Sequence, residues 1–214
     1  MLKTELDLRF DALRATPVAA DPFPHVVVPD FVSAQSLRAI VEALPPMSSG
    51  GSFPPESLRL RPVVQELVRE LQGPRLRREI AGKFGLELGS APTMLTLRGR
   101  TREKDGRIHR DSTAKRVTIL LYLNPENESW ARREGCLRLL RTPDGIEDYA
   151  VEVPPVNGTL LAFPNGPTTW HGHRQYVGRR YAIQLNYMAE GAKARTEMRR
   201  HRLSALLKRF ASAA

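Results

Sequence analysis

Two different periods of apolar residues run along this chain, and the change between them falls near Ser90. Before that point apolar side chains recur three and four residues apart, as on one face of a helix. Leu37, Ile40, Val41 and Leu44 follow Ser33, a residue type that caps helix N-termini well, so a helix is predicted over residues 34–44. Thr4–Ala15, Arg61–Leu71 and Pro74–Phe84 are further helix candidates, and His25-Val-Val-Val28 is a short apolar strand. Residues 45–56, PPMSSGGSFPPE, place two Pro-Pro pairs around a Ser/Gly cluster. Such a segment is a loop, either a spacer or an active-site lid.

After Ser90 the pattern shortens to strands. Thr93–Leu97, Val117–Leu123, Cys136–Leu140, Tyr149–Val153, Gly158–Phe163 and Tyr181–Tyr187 are short runs rich in β-branched and apolar residues, separated by Gly, Pro and Asn. Asn157-Gly158 is a strong hairpin signal, because the pair readily takes the two positive φ angles of a type I′ turn. Six or more short strands at this spacing predict an antiparallel sandwich or barrel. The expected organisation is one α+β domain: residues 1–90 as helical support, 91–190 as the β core and 191–214 as a basic C-terminal helix.

Composition narrows the class. The 214 residues carry a formal net charge of +10, and apolar residues make up 41%, which excludes wholesale disorder. Cys136 is the single cysteine, so there is no internal disulfide framework and no multi-cysteine zinc cluster. No apolar run reaches the length that spans a bilayer. The opening residues MLKTELDLRFDALRAT mix acids and bases without an apolar stretch, unlike a secretory signal, and a cytoplasmic protein is expected. Seven Lys/Arg and one Glu fall in residues 192–214, so that the rest of the chain carries only +4. Leu203, Leu206, Leu207 and Phe210 recur at helical spacing within that tail. The basic charge is therefore expected on the solvated face of a packed amphipathic helix, with an acidic partner or a membrane surface as the alternatives.

Three elements carry chemistry. In His109-Arg110-Asp111 an imidazole and a carboxylate stand two residues apart, on the same side of an extended backbone. Thr169-Trp170-His171-Gly172-His173 supplies two more histidines, His171 lying 62 residues beyond His109. Two histidines and one carboxylate make the facial triad that leaves open positions on non-haem Fe(II). Arg180, nine residues after His171, offers a guanidinium fork suited to a carboxylate held against such a metal. Tyr122 shares its strand face with Thr118 and Leu120, and its hydroxyl could assist the same carboxylate. There is no G-x-S-x-G, no H-E-x-x-H and no phosphate-binding Gly-rich loop, so hydrolase and nucleotide chemistry lack support.

Taken together, these elements resemble the 2-oxoglutarate/Fe(II)-dependent dioxygenase superfamily, in its prolyl-4-hydroxylase-like branch. His109-x-Asp111, His171 and Arg180-Tyr-Ala-Ile carry the likeness, with Val117-Thr-Ile-Leu-Leu-Tyr122-Leu-Asn124, Glu134-Gly-Cys-Leu-Arg-Leu139 and Gly158-Thr-Leu-Leu-Ala-Phe163. The segment Pro22–Phe31 resembles the entry strand and helix of bacterial members. The resemblance implies a double-stranded β-helix (jelly-roll/cupin-like) core. It implies Fe(II) held by His109, Asp111 and His171, and 2-oxoglutarate paired with Arg180 and aided by Tyr122. It further implies O2 as co-substrate, ascorbate as a reductant, and hydroxylation of an unactivated C–H with release of succinate and carbon dioxide. The substrate is then a protein side chain of prolyl type or a small molecule. Oxidative nucleic-acid demethylation is the alternative enzyme, but that branch carries a second Arg six residues past the first, where this chain has Asn186. A non-catalytic metal-binding jelly-roll is the alternative outside enzymes. His173, Leu120, Asn186 and Trp170 are candidates for the substrate pocket. His173 is open between a substrate contact or proton shuttle, a rim residue and the metal ligand in a shifted register. Position 134 is Glu where relatives have Gly, and Leu97 or Arg98 stands where relatives often place a Tyr, which would alter the polar wall of the site.

Overall fold

The computed structural model describes residues 6–126, 130 and 134–200. Short helices come first: α1 (Phe10–Ala15), α2 (Ala34–Ala43), α3 (Pro62–Gln72) and α4 (Pro74–Phe84), with strand β1 (Val26–Val28) between α1 and α2. Helix α2 starts where the Ser33 hydroxyl accepts the Ser36 backbone N–H, at 3.4 Å. Helices α3 and α4 each begin on a proline, whose missing N–H costs nothing at a first turn. Gly85 ends α4 at φ 62°, a left-handed cap.

Seven strands follow: β2 (Thr93–Thr101), β3 (Lys115–Tyr122), β4 (Leu137–Leu140), β5 (Tyr149–Val153), β6 (Leu160–Pro164), β7 (His171–Gly172) and β8 (Gly178–Met188). They build a five-stranded antiparallel sheet in the order β1-β6-β3-β8-β2 and a three-stranded sheet in the order β5-β4-β7. The large sheet is covered on both faces, which is why β1 and β6 read as continuous apolar runs. Val117, Ile119 and Leu121 of β3 and Ile183, Leu185 and Tyr187 of β8 pack with α2, α3 and α4 in one apolar cluster. The alternate residues face the small sheet, where Tyr122, Leu161, Phe163 and Ala182 meet Leu137, Leu139 and Val153. Toward one end of that inter-sheet layer the side chains turn polar.

Several expectations are corrected by this arrangement. The helix expected over Thr4–Ala15 is confined, within the described residues, to Phe10–Ala15, because Leu8 instead bridges Val32 as extended backbone. Asn157 and Gly158 do form the tight turn, at φ 53° and 69°, with the Thr159 N–H bonded to the Val156 carbonyl. They do not close a hairpin: β5 pairs with β4 and β6 with β1 and β3, so the turn carries the chain from one sheet to the other. The loop at 45–56 is stitched to the edge of β2, where Phe53 and Leu97 exchange both backbone hydrogen bonds at 2.8 Å. Strand β7 has only two residues, too few to show a period, and was not expected.

Residues 192–200 are helical, and Ala194 packs with Ala114 and Met188. Lys193 Nζ donates to Thr113 Oγ1 at 2.7 Å, which ties this segment to the loop after Asp111. The apolar stripe expected from Leu203 to Phe210 lies outside the described residues. Among the described residues, no helix is long and apolar enough to cross a membrane.

Candidate active site

The polar end of the inter-sheet layer is assembled by strand pairing. His109 and His171 face each other as a bridged antiparallel pair, each backbone N–H bonded to the other's carbonyl at 3.0 Å. That pairing closes the 62-residue gap and sets the two rings 4.4 Å apart. Gly172 permits it by close approach: a Cβ there would stand 2.8 Å from the Gly106 carbonyl oxygen. Asp111 completes the group, with candidate ligand atoms of His109, Asp111 and His171 all within 4.8 Å of one another.

Both rings are held in the tautomer a metal requires. His109 Nδ1 lies 2.8 Å from the Arg107 carbonyl and His171 Nδ1 lies 2.9 Å from the Thr169 carbonyl. A carbonyl only accepts, so each Nδ1 carries the hydrogen and Nε2 is the ring nitrogen left for a metal. Burial and the neighbouring His109 lower the His171 pKa to about 4, so this ring is neutral at pH 7.

Asp111 is fixed by a network the sequence did not reveal. Lys115 Nζ donates to its Oδ1 at 2.6 Å and the Thr118 hydroxyl to its Oδ2 at 2.5 Å. The amides of Asn165 and Asn186 each donate to Thr118 Oγ1 at 2.9 Å, occupying both lone pairs of that hydroxyl. The one hydroxyl hydrogen is thereby committed to Asp111. Burial raises the Asp111 pKa, but Lys115, Thr118 and His171 outweigh it and hold the carboxylate below its usual range. Two imidazole nitrogens and one carboxylate form a donor set that suits Fe(II).

A cavity of about 310 Å³ opens beside this group, and its wall is strongly basic. Arg180 lies 7% exposed on it, with Nε bonded to the Gly135 carbonyl at 2.9 Å and Nη2 without a partner. The buried Tyr122 ring sits under the Arg180 guanidinium, 5.2 Å from ring centroid to carbon, and its hydroxyl is also unpartnered. Burial raises the Tyr122 pKa, so the phenol stays protonated and can donate. Leu120 and Leu137 line the same cavity. His173 lines it as well, outside the three-residue group. Its backbone N–H bonds to the Gly106 carbonyl at 2.9 Å and its Nδ1 to the Arg174 carbonyl at 2.8 Å. Burial, and then Arg180, lower its pKa to about 4.

The remaining two candidates are placed elsewhere. Asn186 is 2% exposed and spent on Thr118, away from the cavity wall. Trp170 lines a second cavity of about 670 Å³ that shares His109 with the first, and Arg110 stacks over its ring at 4.5 Å. Thr118 was missed as a site residue, although it stands on the strand face of Leu120 and Tyr122; Arg98, noted only as one of two positions where relatives often place a Tyr, lines the cavity.

Comparison with known proteins agrees with this geometry. The model of the 2OG-Fe(II) oxygenase superfamily matches residues 99–188. No curated protein sequence gives a significant match. A prolyl-4-hydroxylase from Pseudomonas putida is similar in structure, with a TM-score of 0.55 at 19% identity over 85% of this chain and 91% of that one. Prolyl 4-hydroxylases from Phytophthora capsici give a TM-score of 0.59 at 16% identity, over 98% of this chain and 78% of theirs. The viral collagen prolyl hydroxylase of Paramecium Bursaria Chlorella virus-1, solved as a 2OG complex, gives 0.53 at 13% identity, over 81% of this chain and 99% of that one. The two facing sheets are thus a double-stranded β-helix.

Proposed function

We propose, from the premise that residues 99–188 make this chain a 2OG-Fe(II) oxygenase enzyme, that it hydroxylates an unactivated C–H of a prolyl-type protein side chain. A small molecule is the alternative substrate. The observation that carries the reading is the His109–Asp111–His171 group standing beside a basic cavity with an unpartnered, buried guanidinium. That the similar structures are those of prolyl hydroxylases supports the prolyl choice.

In this reading His109 and His171 would hold Fe(II) through Nε2 and Asp111 through a carboxylate oxygen. Arg180 would pair with the distal carboxylate of 2-oxoglutarate, and Tyr122 would donate its hydroxyl hydrogen to it. When bound, Fe(II) with 2-oxoglutarate would supply the oxidising power, with O2 giving one atom to the substrate C–H and one to succinate, and carbon dioxide released. The chain's own residues position the reactants. Thr118 and Lys115 hold the Asp111 carboxylate, and Leu120 and Leu137 give the co-substrate cavity part of its apolar wall. The second cavity also reaches His109, and there Trp170 and Arg110 offer a wall for the substrate.

The test is succinate release from 2-oxoglutarate with Fe(II), using proline-containing peptides and free small molecules in parallel. The expected result is release stimulated by a peptide, with the mass of one oxygen atom gained on proline. Oxygen found only on a small molecule would overturn the prolyl choice. Absence of any 2-oxoglutarate consumption would overturn the reaction.

A further inference from the structure

Five buried side-chain polar atoms lack a hydrogen-bond partner among the described residues, and three of them lie on the one basic cavity: Arg98 Nε, Tyr122 Oη and Arg180 Nη2. The sheet brings them together. Ala182 of β8 is the register partner of both Arg98 on β2 and Tyr122 on β3, so the three stand in one row across the sheet. Ala182 contributes only a methyl between two long side chains, and Arg180 stands two residues earlier on the same face of β8.

Two guanidinia thus share one buried end of a cavity. Burial, and next the Arg180 charge, lower the pKa of Arg98, so the two cations oppose each other. Asp105 lines the same cavity, but both its oxygens are engaged by Arg102. Free N–H groups and like charges held together out of water are unfavourable unless an anion completes them. A carboxylate has two oxygens with about four lone-pair sites, enough for two guanidinium donors and a phenol.

We propose that Arg98 is a second binding residue for 2-oxoglutarate, whose distal carboxylate is held between Arg98 and Arg180 with the Tyr122 hydroxyl as third donor. This rests on the co-substrate reading above and adds a residue to it. An anion between the two guanidinia removes their repulsion, so the ligand and the wall stabilise each other.

The experiment is calorimetric titration of the Mn(II)-loaded protein, which binds without turnover, with 2-oxoglutarate and with 2-oxopentanoate, the same 2-oxo acid without the distal carboxylate. For Arg98→Met the expected result is about tenfold or greater loss of 2-oxoglutarate affinity. Affinity for 2-oxopentanoate should be unchanged or improved. Arg98→Lys, which keeps the charge and loses the fork, should fall between. Metal-free Arg98→Met should melt no lower than the parent, which separates lost binding from lost folding. Unchanged 2-oxoglutarate affinity in Arg98→Met, with a large loss in Arg180→Met, would overturn the role of Arg98 and leave the proposed function standing. Equal losses for both ligands in Arg98→Met would also overturn it. Unchanged affinity in both variants would remove the clamp and the co-substrate reading with it.

Discussion

The two faces of the five-stranded sheet are made by the same strands and obey opposite rules. On β3, Val117, Ile119 and Leu121 pack against helices and are at most 1% exposed. Thr118, Leu120 and Tyr122, between them, face the small sheet, and there polar atoms are spent on a carboxylate or left without partners. On β8 the same alternation sets Ile183, Leu185 and Tyr187 against Arg180, Ala182, Gln184 and Asn186. The helix-facing set maximises burial of apolar surface. The other set gives up that burial to hold charge in a fixed geometry, a cost that folding bears for function. One face is thus stability and the other chemistry, two residues per repeat.

Substitutions on each face should therefore separate the two properties. Asp111→Ala or His171→Ala should abolish turnover while thermal unfolding shifts little, as read by 2-oxoglutarate consumption and circular dichroism; retained consumption in both variants would contradict the metal assignment. Leu121→Ala, on the other face, should lower unfolding free energy by about 2–5 kcal/mol in urea titration, with activity per folded molecule kept. Thr118→Val keeps the side chain's shape and removes the hydrogen bond to Asp111. It should weaken Fe(II) or Mn(II) affinity by about 10- to 100-fold in a competition titration. Wild-type affinity in that variant would mean the network does not position Asp111.

The smallest effect is on pH. His171 and His173 have folded pKa values near 4 and an ordinary value near 6.5. Between those limits the unfolded chain binds more protons than the folded one, so metal-free stability should fall as pH drops from about 6.5 to about 4. His173→Gln should lessen the slope by about one proton, measurable by urea unfolding across that range. A slope identical to the parent's would place the proton uptake elsewhere.

The same contrast explains what could be read from the chain. The apolar stripe of α4 repeats at helical spacing, so that helix appears at Pro74–Phe84 as expected; β5, at Tyr149–Val153, lies where a short run of β-branched and apolar residues predicted a strand. The His109-x-Asp111 pair and the nine-residue step from His171 to Arg180 are local spacings, and they were legible too. What stayed hidden depends on which strands become neighbours. Asn165 and Asn186 meet at Thr118 only because β3 lies between β6 and β8. Arg98 falls into one row with Tyr122 only because Ala182 of β8 pairs with both. Asn157-Gly158 shows the same limit in reverse, since the turn was visible and the partners it joins were not.

The central claim is that this polar face holds Fe(II) and 2-oxoglutarate together. It is tested most directly by anaerobic absorption spectroscopy of the metal-free protein with Fe(II), before and after 2-oxoglutarate is added. A weak visible charge-transfer band that appears with 2-oxoglutarate and is lost in His171→Ala is the expected result. Sound iron binding with no band in the parent protein would contradict it.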